Sequence, residues 1–388
     1  MSLGIFPTSE VLFRGGIVGT SIAYYLSRHP NVLGDTSVYV LESSYIAAGA
    51  SGKAGGFLAL NWHGPTTSSL AALSFKLHEE LATEHDGEKK WGYRKLVTLG
   101  IDSDPNSNDG VETVPHAEWI ADVVGSVEPL GDETTTAQVH PFLMTNALIS
   151  AAQDSGVNVT IAKAETIVRN EETKEITGVT AVTRSGEILT IPATDVVFAA
   201  GPWTGTITTQ MLGEKAAGGA ANIIPSNRST SIVVSPPESR ELTPHALFCT
   251  LVLPDGSHGQ PEFYPRPDRT LYVCSAGMSD QTPLPEYAED VVHSEEGVRR
   301  LKERLRIVVR KEWIGDVLES DNFIRQACYR PDSSKTHLPV IGKIGDGLWV
   351  ASGHEVWGIL LGPGTGKVMS ELLLEGKEKS ANISSLRP

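Results

Sequence analysis

Apolar and glycine-rich stretches follow one another in the N-terminal part of the chain in an order that predicts a βαβ unit. Residues 11–13 form a short apolar run that indicates the end of a strand, and residues 15–19 form a glycine-rich turn. Residues 20–27 carry apolar side chains at helical spacing, and residues 38–41 form a second apolar strand. Strand, turn, helix and strand in this order are a βαβ unit.

The rest of the chain divides into stretches with the periodicity of strands, helices or antiparallel sheets. Strands are predicted at 157–162, 175–183, 188–200 and 347–352, helices at 147–155, 294–317 and 364–374, and an antiparallel sheet over 226–276.

The order of these elements predicts an α/β protein with a Rossmann-type dinucleotide-binding domain and a second, mixed-sheet substrate domain. The length of 388 residues supports two domains, because a single core typically holds roughly 100–150 residues. We expect a discontinuous dinucleotide-binding domain built from residues 1–61, 140–225 and 322–388. The substrate domain would then comprise residues 62–139 and 226–321.

The acidic composition narrows the classes of partner. A formal net charge of −15 disfavours nucleic acid and anionic membrane surfaces. A pyrophosphate would therefore have to be held locally, by backbone N–H groups at a helix N-terminus. No run approaches about 18 apolar residues, so we expect no membrane span, and the N-terminus lacks the pattern of a signal peptide.

Cysteine usage favours a reducing compartment. Cys249, Cys274 and Cys328 form no CxxC motif, so we predict neither a disulfide framework nor a metal site. We expect a cytoplasmic protein, and the sequence leaves its oligomeric state open.

The glycine turn approximates the dinucleotide fingerprint G-x-G-x-x-G. Gly16 and Gly19 occupy the second and third glycine positions, which allow backbone approach to a pyrophosphate and close packing of helix on strand. Arg14 stands at the first position, and two hypotheses follow. Arg14 tolerates the turn and places a charge near the pyrophosphate, or the atypical start weakens cofactor binding. Glu42 ends the second strand, where an acid can bind ribose hydroxyls.

Four blocks of sequence resemble FAD-dependent oxidoreductases of the D-amino-acid-oxidase type. They are residues 15–26 with Glu42, the small-residue loop 51–56, residues 197–203 with 163–165 upstream, and the C-terminal blocks Cys328-Tyr329-Arg330-Pro331 and Gly353-His354-Glu355-Val356-Trp357-Gly358. The last block is similar to the C-terminal segment of glycine-oxidase-like members. The overall pattern also resembles a eukaryotic branch of oxidoreductases within this family.

The resemblance implies FAD as the cofactor and assigns roles to individual residues. The implied cofactor-binding residues are Gly16, Ile17, Val18, Gly19, Glu42, Ser43, Ser51, Gly52, Lys53, Gly55, Gly56, Ala164, Ala200, Gly201, Trp203, Gly353, His354, Gly358 and Ile359. The implied catalytic residues are Arg330 and His354, and the substrate-binding residues are Arg330, Tyr264 and Trp357.

Several of these side chains have a structural alternative. Arg330 matches the family position that binds a substrate carboxylate, but it could instead pair with a glutamate. His354 could donate to the flavin or bond the backbone of the core. Trp62, His63 and Tyr264 either line the substrate face or only pack. Cys328 lies near a region where some amine oxidases link FAD covalently, and we interpret it as a small buried hydrophobic residue.

The loop after Gly353 departs from glycine-oxidase-like members, because it contains no second arginine. This departure argues against a simple glycine-like substrate, and Trp357 favours a larger, partly apolar one. We expect hydride transfer to FAD from the C–N bond of a small amino acid or secondary amine. An alternative is an FAD-binding protein without turnover that acts in trafficking or assembly. A nicotinamide-dependent dehydrogenase is a third possibility, but it would not need residues 353–366 at the cofactor.

Overall fold

A computed structural model of the protein describes residues 9–13, 15–32, 36–107, 110–276, 279–280 and 282–388. Arg14 lies outside the described residues, so both hypotheses for this position stay open.

Strands and helices alternate at both ends of the chain and surround a strand-rich middle. The strands are β1 Ser9–Phe13, β2 Ser37–Glu42, β3 Phe57–Ala59, β4 Arg94–Lys95, β5 Val97–Ser103, β6 Val111–Glu112, β7 Val123–Gly131, β8 Thr136–Gln138, β9 Asn158–Ile161, β10 Lys163–Arg169, β11 Ile176–Val182, β12 Ile188–Pro192, β13 Asp195–Phe198, β14 Ile223–Pro225, β15 Arg228–Val234, β16 His245–Val252, β17 His258–Pro265, β18 Leu271–Ala276, β19 Ser279–Asp280, β20 Ile324–Cys328, β21 Pro331–Ser333, β22 Val340–Gly345 and β23 Leu348–Ser352. The helices are α1 Ile17–Ser27, α2 Ala50–Lys53, α3 Ser68–His85, α4 Gly87–Trp91, α5 Pro141–Asp154, α6 Thr204–Leu212, α7 Glu214–Ala217, α8 Glu295–Val308, α9 Lys311–Ile314 and α10 Gly358–Glu375.

The predicted βαβ unit is confirmed as β1, α1 and β2 at the centre of a mainly parallel sheet. The described strands of this sheet run in the order β22-β23-β13-β1-β2-β9, and only β22 pairs antiparallel. Strands from both ends of the chain therefore belong to one sheet, in which β13 lies between β23 and β1. The buried strand predicted at the end of segment 188–200 is confirmed as β13, while the start of this segment forms β12, which pairs with β11 in another sheet.

The second large sheet is mixed, as predicted. Its described strands run in the order β19-β15-β18-β17-β16-β5-β7-β6, and β20 also pairs with β15. Residues 226–276 supply the predicted antiparallel strands, but β16 pairs in parallel with β5. Sequence reasoning predicted no element at β5, which comes from a part of the chain without a clear period.

Both faces of the mixed sheet are covered by other parts of the chain. Successive side chains on a strand point to opposite sides, so neighbouring residues belong to different clusters. On one face Phe263 and Val273 share a hydrophobic core with Leu301 of α8. On the other face Tyr264 and Tyr272 belong to a separate cluster. The sheet thus presents its tyrosine face away from α8.

Three predicted helices have different bounds in the structure, and the one predicted at 147–155 begins earlier, at Pro141. The helix predicted at 294–317 ends at Val308, because Val309 is extended with φ of −108° and ψ of 131°. The helix predicted at 364–374 begins earlier, at Gly358, and continues through Pro363. Glycine and proline usually break helices, which is why the sequence predicted the later start.

Two side chains of α3 bond the backbone groups that Pro363 leaves free, since proline has no N–H to donate. The hydroxyl of Ser74 donates to the carbonyl of Leu360 and accepts from the N–H of Gly364 at 2.8 Å. Nε2 of the buried His78 lies 3.0 Å from the carbonyl of Ile359, which an N–H at position 363 would otherwise bond, and 3.1 Å from that of Leu360. This nitrogen must carry the ring proton, because a carbonyl can only accept.

Glycines allow α10 to cross α1 closely. A Cβ at Gly366 would lie 2.5 Å from the backbone of Ser21, and a Cβ at Gly362 would lie 2.8 Å from the Ile17 side chain. Leu70 of α3 belongs to one hydrophobic core with buried residues of α1 and α10, although the predicted boundaries assign α3 to the substrate domain. The boundaries themselves stay a prediction.

Within the described residues, no helix combines the length and the apolar composition that crossing a membrane requires.

We expect the free energy of unfolding to fall as the pH drops below about 6.5, and His78 to account for part of the loss. Burial lowers the pKa of His78 from 6.5 to about 4. The unfolded chain therefore binds more protons between these pH values, and the stability present above pH 6.5 is lost toward pH 4. At pH 5 the loss from one such histidine is about 2 kcal/mol. Urea unfolding of the wild type and of His78→Gln at pH 7 and pH 5 measures it.

The variant should be less stable at pH 7 but should lose less stability on acidification. His337→Gln, at an exposed histidine, is the control and should behave as the wild type. An identical loss in all three proteins would contradict the role of His78.

Candidate functional site

A cavity of about 1490 Å³, counting its open mouth, is lined by residues of both large sheets. Its walls include the first residues of α1 and α10, the loop at 48–57 and the turn that follows β13. The predicted site residues that line it are Gly16, Ile17, Val18, Glu42, Ser51, Lys53, Gly55, Gly56, Ala200, Gly201, Trp203, Tyr264, Arg330, His354, Trp357, Gly358 and Ile359.

Five other predicted cofactor residues do not line the cavity. Gly19 lies inside α1, and Gly52 lies in α2, where a Cβ would be 2.2 Å from a carbonyl oxygen. Ser43 is buried directly after β2, Ala164 lies in β10, and Gly353 follows β23. These residues shape the chain around the cavity, and their direct contact with a cofactor stays a prediction.

The N-terminus of α1 presents backbone N–H groups at the cavity. Gly16 is the N-cap residue and offers no side-chain cap. The N–H of Ile17 donates to Oγ of Ser51 at 2.9 Å, and the N–H of Gly15 donates to Oε2 of Glu42 at 2.9 Å. A helix N-terminus with such N–H groups favours an anion, so this end of the cavity fits a pyrophosphate.

Glu42 holds the glycine turn in place from the end of β2. The side chain is buried, and Oε1 accepts from the N–H of Ser44 at 2.8 Å while Oε2 accepts from Gly15. A carboxylate offers about four acceptor positions, so further positions are available to ribose hydroxyls. The structure therefore adds a role in the turn to the predicted role in ribose binding.

The loop that follows α2 is fixed to the mixed sheet. The carbonyl of Lys53 accepts from the hydroxyl of Tyr272 at 3.1 Å, and Nζ of Lys53 donates to the carbonyl of Ala288 at 3.4 Å. Burial lowers the pKa of Lys53. A Cβ at Gly55 would lie 2.4 Å from the ring of Tyr264, so only glycine permits this approach. The loop is thus a rigid wall between the two sheets.

The N-terminus of α10 also opens on the cavity, next to a buried histidine. Nε2 of His354 lies 2.9 Å from Oγ1 of Thr365, and Nδ1 has no hydrogen-bond partner among the described residues. Burial lowers the pKa of His354 to about 4, so the ring is neutral at pH 7. A neutral ring with one unpartnered nitrogen can donate to, or accept from, a cofactor or substrate in the cavity.

Arg330 pairs with a glutamate of its own chain, which was the structural alternative for this residue. Its Nε lies 3.3 Å from Oε1 of Glu355. Burial alone would lower the pKa of Arg330, but the carboxylate of Glu355 raises it. Glu355 has a positive φ of 47°, and its Oε2 accepts from the N–H of Val356 at 2.5 Å. The ion pair therefore lies at the predicted carboxylate-binding residue, and within the described structure Nε of Arg330 forms no hydrogen bond.

Sequence reasoning missed Glu262, which lines the cavity from β17. Its Oε2 accepts from the hydroxyl of Tyr264 at 2.5 Å and from Sγ of Cys274 at 3.5 Å. The alternation of side chains along β17 could have revealed it, because Glu262 precedes Tyr264 by two residues on the same face.

Aromatic rings form the wall beside these charged groups. The ring centroids of Phe57 and Trp62 lie 5.2 Å apart, and those of Trp62 and Phe248 lie 4.8 Å apart. Trp62 also contacts Trp357 at 6.4 Å. His63 packs on Trp357 at 4.5 Å and lines a neighbouring cavity instead. Of the two alternatives predicted for Trp62, lining the cavity or only packing, the structure shows that it lines the cavity.

The cysteines are free, and Cys328 is buried at the cavity wall. Burial raises the pKa of its thiol. In the part of the chain that the structure describes, no group of three or more histidine, cysteine, aspartate or glutamate side chains could hold a metal ion.

The sequence matches the family of FAD-dependent oxidoreductases (DAO) over residues 15–372. It is 40% identical over 392 residues to the Schizosaccharomyces pombe protein named "Putative oxidoreductase C1F5.03c", with 97% of each chain covered. It is 27% identical to the Saccharomyces cerevisiae protein named "Putative oxidoreductase TDA3", covering 97% of this chain and 94% of the yeast protein.

The fold is similar to the solved structures of a glycine oxidase and an L-proline dehydrogenase. Glycine oxidase from Geobacillus kaustophilus has a TM-score of 0.73 at 21% identity, with 97% of each chain covered. L-proline dehydrogenase from P. horikoshii has a TM-score of 0.69 at 17% identity, covering 98% of this chain and 96% of the dehydrogenase. At these identities the similarity shows the fold alone.

We expect Glu42→Gln to weaken FAD binding by about tenfold or more. An amide has one acceptor oxygen, so one of the N–H groups of Gly15 and Ser44 would face an NH₂ group instead of a carboxylate oxygen. Titration of the cofactor-free protein with FAD, followed by flavin fluorescence, gives the Kd. Glu187→Gln, at an exposed glutamate between β11 and β12, is the matched control. An unchanged Kd for Glu42→Gln would refute the role of this carboxylate.

Proposed function

Because the chain belongs to the family of FAD-dependent oxidoreductases, we propose that it binds FAD and oxidises a C–N bond of a small amino acid or secondary amine. A bound flavin would supply the chemistry by accepting a hydride from the carbon next to nitrogen. The observation that carries the proposal is that α1 and α10, from the two ends of the chain, begin at one cavity whose opposite wall is the mixed sheet.

The two helix N-termini give the cavity the electrostatics that an anionic cofactor needs in an acidic protein. The N–H groups at Gly16 and Val18, which line the cavity, would hold the pyrophosphate, and Glu42 would bind the adenosine ribose. The α10 end at Gly358 would lie at the flavin ring. His354 would orient the ring or the substrate through the nitrogen that has no partner in the described structure.

The substrate would bind between the flavin and the aromatic wall of the mixed sheet. The loop at 51–56 would exclude water from one side, since it is fixed to the sheet by Tyr272. His354 is neutral and has a pKa of about 4, so it is a hydrogen-bonding group rather than a base that titrates near pH 7.

A direct test begins with the purified protein and its visible absorbance. The proposal expects a yellow protein, or one that FAD makes yellow, whose flavin absorbance bleaches without oxygen when an amine is added. A colourless protein that FAD cannot reconstitute would refute it.

A flavoprotein without turnover in trafficking or assembly is the second candidate. The ion pair between Arg330 and Glu355 favours it, because the predicted carboxylate-binding side chain is already engaged. Flavin that is bound but never reduced across a broad panel of amines would support this candidate.

We expect His354→Ala to lower the limiting rate of flavin reduction by about 10- to 100-fold, because a positioned hydrogen bond at the reacting groups is lost. The pH profile should keep its shape between pH 6 and pH 9, since the pKa of His354 is about 4. Stopped-flow reduction without oxygen measures both quantities. A titration in this range that disappears with the substitution would show that His354 acts as an acid or base.

A further inference from the structure

We propose that the substrate of this site is a cationic amine with apolar substituents that needs no carboxylate, bound by Glu262 and the aromatic wall. The inference rests on the proposed amine oxidation and concerns the chemical class of the amine.

Arg330 is the only arginine among the described residues that line the cavity, and it already forms an ion pair with a carboxylate of its own chain. Glu355 lies 3.3 Å from Arg330, and the two side chains are only 30% and 35% exposed. At Nε a substrate carboxylate would compete with Glu355, whose Oε2 also accepts from the N–H of Val356. Glu355 thus offsets the positive charge that a substrate carboxylate would otherwise meet alone.

Glu262 offers an oriented carboxylate on the side of the cavity that the mixed sheet forms. The hydroxyl of Tyr264 and the thiol of Cys274 both bond Oε2, which fixes the direction of the carboxylate. Both donors lie on the same face of neighbouring strands, because Glu262 pairs with Cys274 between β17 and β18. A carboxylate held in this way can accept hydrogen bonds from an ammonium group.

The formal charges of the site favour a single positive charge. Among the described charged side chains that line the cavity, Lys53 bonds the carbonyl of Ala288 and Glu42 bonds the α1 turn. Glu262, Glu355 and Arg330 are the others, and their formal charges sum to −1. A monocation would balance this charge, whereas an anion would increase it.

The aromatic wall provides the second half of the recognition. Phe57, Trp62 and Phe248 are half-buried and line the same cavity as Glu262. Their ring centroids lie 4.8–5.2 Å from one another. Aromatic faces attract cations and bury alkyl or aryl substituents, so this wall fits the groups attached to an amine nitrogen.

A neighbouring cavity supports the approach of a cation. It shares Phe248 and Glu262 with the main cavity and adds the carboxylates of Asp102 and Glu128. A path lined by negative charge raises the local concentration of cations.

Two probes of the same shape test the inference on the FAD-loaded protein. Trimethyl(2-phenylethyl)ammonium has a fixed positive charge and no oxidisable lone pair, and 3-phenylpropanoate has a carboxylate instead. We expect the cation to perturb the flavin spectrum with a Kd at least tenfold lower than that of the anion. Tighter binding of the anion, or no binding of either probe, would overturn the inference.

Two variants assign the preference to named side chains. Glu262→Gln should raise the Kd of the cation at least tenfold, and it should not lower the Kd of the anion by as large a factor. Glu355→Gln should release Arg330 and lower the Kd of 3-phenylpropanoate at least tenfold. Glu187→Gln is the control, and retained FAD content and thermal midpoint verify folding. If Glu262→Gln leaves the Kd of the cation unchanged, the assignment is wrong.

Turnover separates this inference from the proposed function. N-methyl-2-phenylethylamine and N-methylphenylalanine share one skeleton and differ in the carboxylate. We expect the first to reduce the flavin at lower concentration. Reduction by N-methylphenylalanine alone would overturn the inference and retain the proposed function. Binding of the cation as expected, with no reduction by any amine, would retain the inference about binding and refute the proposed oxidation.

Discussion

The helix that closes the chain contains a proline, and the structure depends on how that break is satisfied. Pro363 removes one N–H from α10, and the hydroxyl of Ser74 with the ring of His78 bonds the groups left free. Buried carbonyls without partners would cost about 1–3 kcal/mol each. The same contacts hold α10 against α3, while its glycines hold it against α1. The beginning of α10 therefore stays at the cavity where α1 also begins.

This arrangement explains how an acidic chain can hold an anionic cofactor. The net charge of −15 repels phosphate at long range, but two helix N-termini present N–H groups inside one cavity. The field of a helix end is local and acts within the first turn, so it can oppose the overall charge where the ligand lies. Glu42 adds to this by fixing the turn that aims the N–H groups of α1.

The pair formed by Arg330 and Glu355 changes how the family resemblance should be applied. An arginine at this position is expected to bind a substrate carboxylate, and here it lies 3.3 Å from a carboxylate of the same chain. Arg330 matches the family motif and Glu355 lies in the loop that departs from it, and the formal charges of the two side chains cancel. The carboxylate of Glu262, which accepts only from the neutral groups of Tyr264 and Cys274 among the described hydrogen bonds, then becomes the dominant charged group of the substrate side and favours cations.

The sequence by itself determined the βαβ unit and the α/β class, and it predicted most of the residues that line the cavity beside α1 and α10, because these follow from periodicity and from motifs whose members are close in the chain. It could not reveal that Glu355 pairs with Arg330 or that Ser74 and His78 satisfy the break in α10. It also could not place Glu262 at the cavity. These facts depend on which distant segments pack together, and only the tertiary structure decided that, since a hydrogen bond or an ion pair requires contact within a few ångström, whereas the residues involved share no local pattern.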